Sequence, residues 1–198
     1  MNDLRSLLLA LAAALLALPA CQAADPVPPP LEGARMRNTF NLMSHEGRRV
    51  ADTAFAGEYR IVYFGYTFCP DVCPVDLQLI SAAMRQFEEK DADRAAKVQP
   101  IFITTDPARD TPPVLAEFAR NFHPRLLALT GTAEEIGRTA TAHGVVFMRR
   151  DDTPEGAPYL LDHSRYPILY GPEGQPIAIL PHDRGVPGIV EALDRWVQ

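Results

Sequence analysis

The chain has 198 residues, 47% of them apolar, and a formal net charge of −6. That is enough for one domain with a full core and little room for a second. It contains no Lys/Arg block, so nucleic-acid binding, which needs clustered cations to neutralise phosphates, is excluded.

Arg5 gives the N-terminus a weakly positive start, and Leu7 to Leu18 is an unbroken apolar run. Its length suits the hydrophobic region of a signal peptide and is short for a membrane span. "LPAC" follows. A small residue before a cysteine resembles a bacterial lipoprotein signal with Cys21 as the lipidated N-terminus, although Pro19 is unusual inside that box. The alternative is ordinary cleavage nearby, after Ala23 or Ala24. On either reading the mature chain is exported, to a bacterial periplasm, where the expected placement is membrane-tethered and facing the periplasm from the inner membrane. Residues 1–23 are read as the signal, 24–35 as a Pro-rich tether and 36–198 as the folded domain.

In the domain, "TFNLMSHEGRRVADTAF" reads as a hairpin turning at His45-Glu46-Gly47. "YRIVYFGYT" is a buried strand of the parallel type, and two cysteines follow at its C-terminal end. "VDLQLISAAMRQFEEK" spaces Leu77, Ile80, Ala83, Met84 and Phe87 as one helical face. "VQPIFITTD" is a second buried strand, read to Asp106. "RDTPPVLAEFARNF" opens a helix with Thr111 as N-cap, Pro112 at the first helical position and Asp110 as a helix-start residue. Thr132 and Glu135 form a capping box, and Gly144 stops that helix. "VVFMRR" is a strand, "PILYGPEGQPIAIL" a hairpin turning at Pro172-Glu173-Gly174, and "VPGIVEALDRWV" the closing helix, which Trp196 packs onto the sheet. Alternating strands and helices, then a hairpin and a helix, describe an α/β sandwich around one central sheet.

Of the three cysteines, Cys69 and Cys73 remain as a pair once Cys21 is lipidated or removed. In an oxidising compartment such a pair would sit as a disulfide. A five-residue loop constrains the unfolded chain little, so a purely structural bond is the weakest reading. A cysteine pair between a strand and a helix N-terminus is a thioredoxin-like arrangement, because free N–H groups and the positive dipole end favour thiolates. Three residues separate these cysteines. On a regular helix that spacing suits two sulfurs sharing one metal better than a disulfide. Pro74 is expected to make the first turn irregular.

"FGYTFCPDVCP", "TTDPARDTP" and "LDHSRYPILYGPEGQ" together resemble the Sco/SenC family of copper chaperones for cytochrome c oxidase, in order and spacing, from about Phe40 to the C-terminus. The resemblance implies a thioredoxin-like three-layer sandwich with a central mixed sheet and an added N-terminal hairpin. It implies copper, as Cu(I) or Cu(II), bound by Cys69, Cys73 and His163. The implied partner is cytochrome c oxidase subunit II or another copper protein, with delivery to the copper A centre or reduction of that centre's cysteines. Soft thiolates suit Cu(I) and imidazole suits both states, while tetrahedral zinc would want a fourth ligand. Pro167 departs from the family's apolar strand; it is expected to delay the strand to Ile168 and to leave His163 on a loop.

Asp71, Asp106 and Asp162 are candidates for supporting the site or docking a partner, each against a plain turn or surface role. His45, His123, His143 and His182 are read as surface or structural, and the scattered methionines form no copper array. The rival function is an enzyme, a thiol–disulfide oxidoreductase with one cysteine attacking and the other resolving; a peroxidase is weaker still.

Overall fold

The computed structural model describes residues 27–150, 152 and 158–198. The signal, Cys21 and the start of the tether lie outside the described residues. The strands are β1 (Asn41–Ser44), β2 (Arg49–Ala51), β3 (Tyr59–Gly65), β4 (Val98–Thr104), β5 (Leu127–Thr130), β6 (Phe147–Arg149), β7 (Leu161–His163), β8 (Ile168–Tyr170) and β9 (Pro176–Ile179). The helices are α1 (Val72–Lys90), α2 (Ala92–Ala96), α3 (Pro112–Ala119), α4 (Ala133–Ala142) and α5 (Gly185–Trp196).

Seven strands form one mixed sheet in the order β2-β1-β5-β4-β3-β8-β9. β3, β4 and β5 run parallel at its centre, and β1 and β8 flank them antiparallel. All seven residues of β3 are buried, as expected of a strand covered on both faces. Its side chains alternate between two apolar layers. Ile61 and Tyr63 pack with Leu77, Met84, Phe87, Leu115, Ile189 and Leu193 under α1, α3 and α5. Val62 and Phe64 pack with Leu42, Ile103, Leu129, Ile136 and Ala140 under α4. The result is the three-layer sandwich with an N-terminal hairpin anticipated from the sequence. Leu31 extends the packing on the second face, its N–H donating to the Ile177 carbonyl at 3.0 Å.

Local signals behave as their chemistry dictates. Thr132 and Glu135 close a capping box at α4, with both reciprocal hydrogen bonds present. Gly144 ends the helix at φ +68°, a conformation L side chains rarely adopt. Thr111 and Pro112 occupy the N-cap and first position of α3, without a side-chain capping bond from the threonine.

Four expectations change. β4 ends at Thr104, two residues before Asp106. Among the described residues "VVFMRR" does not join the central sheet: β6 pairs with β7, in a separate antiparallel ribbon. His163 is therefore not on a loop but is the last residue of β7, opposite Phe147. Pro167 does delay the next strand to Ile168, but the earlier segment finds its own partner in β6. Finally, Pro74 does not disturb α1. The helix starts at Val72, so Pro74 falls in the first turn, where a backbone N–H has no intrahelical acceptor to lose.

Candidate metal centre

The C-terminal end of β3, the N-terminus of α1 and the end of the β6–β7 ribbon meet at one point. Cys69 lies in the loop before α1, and Cys73 is its second residue. The Cys73 N–H is one of the free donors of the first helical turn, and it donates to Cys69 Sγ at 3.4 Å. The first sulfur thus caps the helix that carries the second. Cys73 is fully buried and Cys69 is 9% exposed, so the site opens on the Cys69 side. Gly65, the last residue of β3, makes room for this. A Cβ there would sit 3.1 Å from Cys73 Sγ and 3.0 Å from the Phe102 ring.

His163 reaches in from the ribbon. Its Nε2 is 3.1 Å from Cys73 Sγ, and its Nδ1 is 3.0 Å from the Ser164 carbonyl oxygen. The carbonyl fixes the proton on Nδ1 and leaves the Nε2 lone pair facing the sulfurs. Tyr63 and Tyr66 hold the ring edge-on from two sides, at 6.3 and 6.0 Å between centroids. Tyr66 also accepts the Leu161 N–H at 3.2 Å, which ties the ribbon to the cysteine loop.

Both cysteines are free thiols, and their acidities are pulled apart. The hydrogen bond from Cys73 draws Cys69 down to about 3, with help from the backbone N–H groups of Asp71 and Cys73, against the opposing effect of burial. Cys73 is driven well above the ordinary thiol range, because its proton is shared with Cys69 and its sulfur is buried. The two sulfurs are thus unequal, Cys69 being the more acidic. Two Sγ atoms and the His163 nitrogen lie within 4.8 Å of one another. One of these separations, Cys73 Sγ to His163 Nε2, is already 3.1 Å, so shifts of about 1 Å or less would let one ion reach all three atoms. No fourth His, Cys, Asp or Glu joins this cluster among the described residues.

The three candidate aspartates stand in different surroundings. Asp71 is exposed at the N-cap of α1, between the cysteines. Asp106 is buried and accepts from Tyr159 Oη at 2.7 Å and from Arg109 Nε. Arg109 in turn stacks on Tyr159 and Phe68, 3.7 and 4.8 Å from their ring centroids, beside Cys69. Asp162 is exposed, and strand alternation turns it to the opposite side of β7 from His163.

Asp110 is not a helix-start residue. It is fully buried and accepts from Thr67 N at 3.1 Å, Thr67 Oγ1 at 2.6 Å and Thr104 Oγ1 at 2.5 Å. It clamps the cysteine loop to the end of β4. Sequence reasoning missed this clamp, and also Tyr63, Tyr66 and Asp76. The one available signal was a polar cluster, Thr104-Thr105-Asp106 with Asp110, at a strand end beside the cysteines. The other histidines are structural. His123 meets Glu88, His143 lies between Thr139 and Asn38, and His45 bonds the Ala128 backbone.

The fold and site define a thioredoxin-like domain that offers two sulfurs and an imidazole to one ion. The chain belongs to the SCO1/SenC family, whose model matches residues 28–198. It is 40% identical over 146 residues to protein sco1 of Schizosaccharomyces pombe, covering 73% of this chain and 54% of the relative. To mitochondrial SCO2 of Saccharomyces cerevisiae it is 38% identical over 136 residues, 69% of this chain and 44% of the relative. The chain thus spans about half the length of the curated relatives it matches. Among solved structures it is similar to Arabidopsis thaliana ScoI with copper bound, with a TM-score of 0.74, 33% identity and coverage of 81% and 97% of the two chains. Bradyrhizobium japonicum ScoI with copper bound gives 0.73 at 30% identity, covering 82% and 99%.

Proposed function

We propose that this protein is a copper metallochaperone that carries Cu(I) on Cys69, Cys73 and His163 and hands it to the copper A centre of cytochrome c oxidase subunit II. The observation that carries the reading is the convergence of two soft sulfurs and one imidazole nitrogen within 4.8 Å. Its support from relatives is that solved family members hold copper. Cu(I) takes both sulfurs as thiolates, so binding releases to solvent the protons the pair still carries. Three ligands leave one side open, and transfer is ligand exchange on that side, with no change in the oxidation state of the metal.

The rival reading, a thiol–disulfide oxidoreductase, draws on the unequal thiols. Exchange needs only the two sulfurs, yet the site brings a third group, His163 Nε2, to 3.1 Å from Cys73 Sγ. The sulfurs are better suited to holding a metal than to attacking a disulfide. No helix among the described residues is long and apolar enough to cross a membrane. We place the chaperone in a bacterial periplasm, held at the membrane by lipid on Cys21. Asp71, exposed between the cysteines, is the carboxylate best placed to meet a partner at the open side.

His163→Ala tests the chaperone reading. The variant should keep part of its Cu(I) as a two-sulfur complex and lose the coloured Cu(II)–thiolate species. It should also fail to support oxidase assembly in a strain carrying only that variant. If absorption after Cu(II) addition and oxidase activity both match the unmutated protein, His163 is not a ligand.

A further inference from the structure

Among the described residues, His163 stands on a ribbon that shares no ladder with the main sheet, so the sheet's register does not fix its distance from the cysteines. The chain rejoins the sheet only at Ile168. Between these points Arg165 crosses to α1. Its Nη2 lies 3.1 and 3.3 Å from the two carboxylate oxygens of Asp76, and its Nε 3.3 Å from Oδ2. Asp76 is 1% exposed and follows Cys73 by three residues, on the same side of the helix. Tyr63 Oη donates to the same carboxylate at 2.8 Å, and the Tyr63 ring lies against the His163 imidazole. The two halves of the centre, Cys73 on α1 and His163 on the ribbon, are therefore joined by a second bridge behind the ligands.

We propose that Arg165 and Asp76 form a latch that positions His163 on the Cys69–Cys73 pair, with Tyr63 as its fixed base. The inference rests on the copper reading of the site. Arg165 touches no ligand atom; it is a positioning residue. Its fork geometry engages both carboxylate oxygens, so it fixes an orientation as well as a distance. Asp76 has no access to water as a substitute partner, whereas the Arg165 side chain is 47% exposed and can be changed without opening the core.

The test is Arg165→Met in the otherwise intact domain, measured by Cu(I) competition against a chelator and by the Cu(II)–thiolate absorption band. Loss of a residue that orients a metal ligand typically lowers affinity 10- to 100-fold. We expect a Cu(I) loss of about 10-fold, a weaker and shifted Cu(II) band, and two reactive thiols in a cooperatively melting apo protein. Arg165→Lys, which keeps the charge but not the fork, should recover part of the loss and serves as the test variant if the methionine form melts below the assay temperature. In a His163→Ala background, Arg165→Met should cost nothing further. Unchanged affinity and spectrum in Arg165→Met would overturn the latch while leaving the copper site standing. So would a loss that persists in full without His163. An unmutated chain that binds no copper would overturn the copper reading and, with it, the latch.

Discussion

Replacing Asp110 separates the charge of the cysteine-loop clamp from its shape. Burial is the largest influence on this carboxylate and raises its pKa above the ordinary range, even though three hydrogen bonds oppose the shift. Keeping the charge there is thus a cost, and a neutral group of the same shape should serve almost as well. Asp110→Asn can do so. Its oxygen takes the place of Oδ2, accepting from Thr67 N and Thr104 Oγ1, and its amide donates to a rotated Thr67 hydroxyl. We expect that change to stay within about 1 kcal/mol of the unmutated protein. Asp110→Ala removes all three bonds and leaves Thr104, fully buried, without this partner. At about 1 kcal/mol for each lost bond it should destabilise by about 3 kcal/mol, a fall of roughly 6–12 °C in Tm for a domain of this size. The sign with pH follows from the same balance. A carboxylate whose folded pKa is raised stabilises the fold most below its unfolded value and loses that contribution as pH rises through the folded one. The unmutated protein should therefore gain on Asp110→Asn as pH falls into the acid range. Urea melts of apo protein across pH would check both points. If Asp110→Ala lies within about 0.5 kcal/mol of the unmutated protein, or if Asp110→Asn is as damaging as Asp110→Ala, the clamp reasoning is wrong.

His143 supplies a second pH effect of opposite sense. Its Nδ1 lies 2.8 Å from the Thr139 carbonyl oxygen, and with the Asn38 amide nitrogen turned toward it Nε2 accepts at 3.2 Å, so the ring is neutral. Burial depresses its pKa to about 4. Stability is complete above the unfolded value of about 6.5 and falls as pH drops toward 4, by up to about 3 kcal/mol from this group. His143→Asn should start less stable but show a flatter pH slope over that window in thermal melts, and an unchanged slope would remove His143 as the cause. At the other end of the chain, intact-mass analysis of membrane-extracted protein should find a diacylated Cys21 as the first residue. A chain beginning unlipidated at Ala24 or Asp25 would overturn the lipid anchor.

The sequence by itself determined the elements whose causes are local. A β-branched and aromatic run, interrupted only by Arg60, made β3; the spacing of Leu77, Ile80, Met84 and Phe87 made α1; the Thr132–Glu135 box and Gly144 bounded α4. It also put both cysteines at a strand–helix junction, and the order of its motifs pointed to His163. What it could not give was anything that depends on distant residues meeting. The pairing of β6 with β7 moved His163 from a loop onto a strand. Such pairing is a choice between partners, and periodicity describes only one of them. The role of Asp110 was hidden for the same reason. A carboxylate before a proline-opened helix looks like a cap, and only the packing of the cysteine loop 43 residues earlier gives it Thr67 to hold. The distance from sulfur to imidazole likewise spans 90 residues of chain. Local chemistry chose the candidate ligands; the buried contacts of Asp76, Tyr63, Tyr66 and Asp110 decided where they stand, because hydrogen-bonding groups taken out of water must find partners wherever the fold provides them.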